Sequence, residues 1–115
     1  MAYMFYMQRA AVVETKIFQA LADPSRRAIF ESLTRGEAAV KDLTARFDIS
    51  QPAVSQHLAA LKEAGLVIGR REGRCVYYRV EPRGMKPLID WITHYRAFWP
   101  ERVDRLEQLL EKRDK

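Results

Sequence analysis

Gln51, Ser55 and Gln56 stand four and five residues apart, a spacing that brings them to one side of a helix. Amides and hydroxyls both donate and accept hydrogen bonds, as the reading of base edges in a DNA groove requires. Between them lie Pro52 and Ala53, whose methyl is small enough to approach that of a thymine. His57 follows, next to an aliphatic stripe, and reads as a packing or phosphate-contacting residue. Further on, Arg70, Arg71 and Arg74 cluster around the single acid Glu72. Guanidinium groups match phosphate geometry, so this cluster is suited to a nucleic-acid backbone or a minor groove. Over residues 64–80 the charge is +3, out of +5 for the whole chain. Over residues 101–115 five acids offset five bases, which marks a solvated helix face. No nucleophile–base pair, phosphate-binding glycine loop or paired acids occur, so the pattern argues against an enzyme.

The elements that must hold these groups are legible in the apolar spacing. Val13, Ile17 and Leu21 predict a first helix over residues 8–22. Asp23-Pro24 is a cap and first-turn pair that opens a second helix ending near Gly36, with Ile29, Phe30 and Leu33 inward. A third, over residues 37–47, turns Val40, Leu43 and Phe47 inward. Asp48 then occupies a tight turn where glycine is common and tolerates the left-handed conformation. Ser50 caps a fourth helix over residues 50–64, anchored by Val54, Leu58 and Leu61. Residues 66–68 and 75–80 read as two strands flanking a charged, glycine-containing tip. A long helical stretch over residues 84–112 carries Leu88, Ile92, Tyr95, Trp99, Val103, Leu106 and Leu110 in register across Pro100. It reads as one helix kinked at that proline or as two helices in line.

The fold expected is a single domain, residues 1–115, mainly α with a small β-hairpin: a winged helix-turn-helix. The helix after the tight turn is narrow enough for the major groove, and the hairpin arginines flank it. The 115 residues allow one modest core. No apolar run approaches the roughly 18 residues a membrane span needs, and the aromatic start lacks the features of a signal peptide. With the single cysteine, Cys75, this predicts a cytoplasmic protein in a reducing compartment. Cys75 itself reads as a small core residue.

Several linked segments resemble the ArsR-type bacterial transcriptional repressors. They are Leu21-Ala22-Asp23-Pro24-Ser25-Arg26-Arg27, the run from Ser50 to Leu61, Ala64-Gly65-Leu66-Val67, Arg70-Arg71-Glu72-Gly73-Arg74 and Tyr77-Tyr78. The resemblance covers residues 16–80, with a weaker fit in the last helix. It implies a homodimer built from the first and last helices, recognition helices in successive major grooves of an inverted-repeat operator, and repression by occlusion of polymerase. Dimerisation follows from the chain as well. The last helix carries Trp91, Tyr95, Phe98 and Trp99 beyond its aliphatic stripe, more apolar surface than so small a domain can cover. The expected interface is Val13, Ile17, Leu88, Trp91, Ile92, Tyr95, Trp99 and Leu106, with helices 8–22 and 84–112 as dimerisation elements. A winged-helix module that binds an acidic protein surface without operator preference is the competing reading.

The family is known for metal sensing, so its ligand positions bear on function. One family site uses paired cysteines in a pattern like Glu-Leu-Cys-Val-Cys-Asp-Leu. The matching run is Glu37-Ala38-Ala39-Val40-Lys41-Asp42-Leu43, and neither Ala39 nor Lys41 can ligate a thiophilic ion. A second site needs an Asp-x-His pair in the last helix. Here Asp90 and His94 are four apart, off that spacing, and read as an exposed ion pair. No metal or cofactor is predicted, and no inducer can be named.

Overall fold

The computed structural model describes residues 13–98 and 100–113. Residues 8–12 of the expected first helix, Trp99, and the side chains of Phe98 and Val103 lie outside the described residues. Helix α1 spans residues 13–22 and α2 spans Pro24–Leu33. Asp23 caps α2 by accepting the Arg26 backbone N–H at 3.0 Å. That hydrogen bond is the main reason its carboxyl lies below the ordinary aspartate range.

The expected third helix begins later than its apolar spacing implied. Ala38–Ala39 form a short strand, β1, and α3 runs Val40–Phe47. Asp42 reaches back from α3 to accept the Ala39 N–H at 3.0 Å. The turn that follows is held by Asp48 at φ 51°, ψ 43°, the left-handed conformation anticipated for it. Helix α4, Gln51–Glu63, is capped by the Ser50 hydroxyl, which accepts the Ala53 N–H at 3.2 Å.

Strands β2, Val67–Glu72, and β3, Cys75–Val80, are antiparallel and longer on the first side than expected. The turn is only Gly73-Arg74, with Gly73 at φ 63°. Arg70 and Arg71 therefore belong to a strand, not to a loop tip. Ala38 and Ala39 pair with Tyr78 and Tyr77, making a three-stranded sheet in the order β1-β3-β2 instead of a lone hairpin. Two alanines carry no strand periodicity, which is why this pairing escaped the sequence.

After a 3-10 turn at Pro82–Met85, α5 runs Lys86–Phe98 and α6 runs Pro100–Arg113. A Cβ at Gly84 would lie 1.9 Å from the Gly65 carbonyl oxygen, so only glycine lets the chain pass the end of α4 here. Arg96 of α5 approaches Glu107 of α6 to 3.9 Å. The two helices meet at Pro100, whose missing N–H interrupts the hydrogen-bond ladder.

The core matches the inward stripes of α2 and α4. Ile29, Leu33, Leu43, Val54, Leu58, Leu61 and Leu66 are buried together with Ile17, Val67 and Leu88. Two expected interface residues thus turn inward: Ile17 is fully enclosed and Leu88 is 8% exposed. Both pack into the chain's own core cluster. The mainly helical fold with a small antiparallel sheet is that of a winged helix-turn-helix.

Candidate nucleic-acid interface

With Val54, Leu58 and Leu61 fully buried, α4 can turn only its opposite side outward. Gln51, Pro52, Ser55 and Gln56 are exposed along that side, and Ala53 is half-buried. The two amides and the hydroxyl thus share one free surface. His57 differs, being half-buried with its Nδ1 enclosed and lacking a hydrogen-bond partner among the described residues. Its ring lies near Asp23, whose carboxylate it helps to hold ionised. It is more a packing residue than a groove contact.

The three hairpin arginines divide. Arg71 and Arg74 are exposed and make no ion pair among the described residues. Arg70 is committed elsewhere. Its Nε and Nη2 donate to the two oxygens of Glu37 at 2.9 and 2.5 Å, and its Nη1 donates to Glu72 at 2.7 Å. The same guanidinium lies 5.0 Å from the ring centroid of Tyr77, its direct cross-strand neighbour. Hydrogen bonding from Arg70 lowers the Glu37 pKa, and the two carboxylates raise that of Arg70. Arg70 is therefore a brace that ties β2 to the segment entering β1, and its charge is already neutralised. Nothing local signals this, because Glu37 is 33 positions away. Lys41, exposed in the first turn of α3, is a further cation with no ion pair among the described residues. Its placement at a helix start, where a cation opposes the dipole, was the available hint.

A Glu37→Gln chain should keep its fold, leave Arg70 paired with Glu72 alone, and change DNA affinity by no more than about fivefold, as exposed pairs allow. The pH dependence follows from the lowered Glu37 pKa. The pair contributes fully above the ordinary glutamate range and is lost as pH falls through the lower folded value. Acid titration of the wing tyrosine signals by NMR should show this loss in the native chain and not in Glu37→Gln. Identical acid limbs in the two proteins would remove the brace.

A second surface lies on α1 and α5. Phe18 meets Trp91 edge-on at 5.6 Å, and Trp91 meets Tyr95 at 4.7 Å. Phe18, Ile89, Trp91, Ile92 and Tyr95 are between 39% and 54% exposed, and Val13 is 43% exposed. Leu106, Leu109 and Leu110 are exposed on α6. Phe18 and Ile89 replace Ile17 and Leu88 one position away, because helical phase decides which neighbour points in. Asp90 is ion-paired with Lys86 at 3.3 Å, and His94 faces Tyr95. Among the described residues no three His, Cys, Asp or Glu side chains gather as a metal-binding group. No described helix is long and apolar enough to cross a membrane.

Residues 23–68 match the family described as bacterial regulatory protein, arsR family. The chain is 41% identical over 96 residues to the HTH-type transcriptional regulator Rv2034 of Mycobacterium tuberculosis, covering 84% of this chain and 87% of that one. It is 33% identical over 79 residues to the transcriptional repressor SdpR of Bacillus subtilis, covering 69% and 88%. The crystal structure of an ArsR family transcriptional regulator, RHA00566, superposes with a TM-score of 0.72 at 31% identity, covering 79% and 94%.

Proposed function

The chain belongs to the arsR family of bacterial regulatory proteins and is a DNA-binding transcriptional regulator, not an enzyme, and we propose that it represses in the cytoplasm as a homodimer on an inverted-repeat operator. In this reading α4 of each protomer enters a major groove. Gln51, Ser55 and Gln56 read base edges, and Pro52 and Ala53 pack against the groove wall. Arg71 and Arg74 hold phosphates or the adjacent minor groove, with Lys41 on the backbone. Two-fold pairing through α1 and α5 would set the two α4 helices about 34 Å apart, one turn of the duplex. The observation that carries this reading is the clean division of α4, a fully enclosed aliphatic stripe opposite an exposed polar one, together with two exposed hairpin arginines that make no ion pair among the described residues.

Two substitutions separate base reading from backbone attraction. Gln56→Ala should weaken operator binding by about 1–3 kcal/mol and relax base preference at one position of each half-site. Arg71→Ala should weaken binding to every sequence and reduce the salt slope by about one. Gel shifts against the DNA upstream of the regulator's own gene, at several salt concentrations, measure both. Equal affinity for operator and scrambled duplex in the native protein would favour a protein-binding winged helix instead.

A further inference from the structure

A cleft of about 180 Å³ opens where α1, α2 and the end of α4 meet. Lys16, Arg26 and Glu63 supply its charges, and Ala20, Ala60 and Ala64 supply an apolar wall. Arg26 is half-buried, and its Nε is fully enclosed with no hydrogen-bond partner among the described residues. Its Nη1 reaches only the Gln19 carbonyl, at 3.5 Å, the outer limit of a hydrogen bond. The terminal nitrogens of Arg26 therefore keep donor capacity that the described residues do not use.

We propose that this cleft binds a small organic monocarboxylate, with the carboxylate on Arg26 and Lys16 and a short apolar body against the three alanines. The charge supports an anion of this kind. Lys16 and Arg26 against Glu63 leave one positive charge, which one carboxylate neutralises. The size supports it too, since a cavity of about 150 Å³ accommodates a benzene ring. A planar carboxylate also matches the fork formed by the two terminal nitrogens of a guanidinium.

The position makes the ligand an effector, a role that rests on the operator reading above. Lys16 and Gln19 flank Phe18 of the exposed aromatic face, while Ala60 and Glu63 lie on α4, the helix proposed to read DNA. A ligand held between them changes how α1 packs on α4, and so couples the face between protomers to the spacing of the two α4 helices.

The test begins without DNA. The full chain is titrated with acetate, isobutyrate and benzoate by calorimetry and amide NMR. Saturable binding of one benzoate or isobutyrate per chain is expected, with shifts centred on residues 16–26 and 60–64. Lys16→Ala, an exposed site, should weaken it about tenfold, the loss of one charge-assisted contact. Arg26→Lys, which keeps the charge and removes the planar fork, should do the same. No saturation with any of the three acids, or tighter binding of inorganic phosphate than of benzoate, overturns the site. This arm stands or falls independently of the operator. In the second arm, saturating benzoate should change operator affinity by about fivefold or more in the native chain and not in Lys16→Ala. Unchanged operator affinity with the site filled overturns the effector role.

Discussion

A Leu58→Ala chain should unfold about 3 kcal/mol more easily than the native protein, within the range of about 2–5 kcal/mol for emptying a fully buried leucine site. Leu58 is fully buried at the middle of the α4 stripe. Its partners there are Val54 and Leu61 from the same helix, with Ile29 and Leu43 in the same cluster. Alanine removes three carbons and leaves a void that these rigid neighbours fill only in part. A domain of this size has a total stability on the order of 5–15 kcal/mol, so the variant folds but with much of its margin gone. Urea denaturation at fixed protein concentration should show a lower midpoint with an unchanged slope. The outer face of α4 is untouched, so any loss of DNA binding should be recovered on cooling toward the stability maximum. A change below about 0.5 kcal/mol would mean that α4 is not anchored through this stripe.

Placing a carboxylate on the aromatic face should have the larger effect on function. Trp91→Asp is expected to convert the proposed dimer to a monomer and to lower operator affinity by at least about a hundredfold. Linked half-sites gain about two to four orders of magnitude over a single module, and a monomer forfeits this. Trp91 is 39% exposed and lies between Phe18 and Tyr95. In a two-fold interface its aspartate would be desolvated, with no cation among the aromatic residues around it. Sedimentation velocity and a gel shift on the same sample measure the two consequences. Circular dichroism should report an intact protomer, because Ile17 and Leu88, not Trp91, join α1 and α5 to the core. A Trp91→Asp chain that is still dimeric, or a monomer that binds as tightly as the native protein, would contradict the assembly proposed here.

Much of this molecule could be read from local pattern. The stripe Val54, Leu58 and Leu61 predicted both the anchored side of α4 and, by exclusion, its polar side. Asp23 and Ser50 marked helix starts through chemistry that reaches only three residues along the chain. Asp48 marked the tight turn because few residue types tolerate its backbone angles. Each of these is decided within one or two turns of chain, and that is the range over which hydrophobic period, capping and backbone sterics act.

What tertiary structure alone decided involves residues far apart in sequence. Arg70 looked like a third phosphate ligand until Glu37, brought beside it by the β1–β3 pairing, took up its charge. Val13, Ile17, Leu21 and Leu88, Ile92, Tyr95 are apolar stripes in either environment. Only the packed body shows that Ile17 and Leu88 enter the core while Phe18 and Ile89 stay outside. The cleft around Arg26 exists only because α1, α2 and α4 converge there. Local pattern fixes which face of a helix is apolar; what that face meets depends on closing long loops of chain, and only the folded arrangement specifies those contacts.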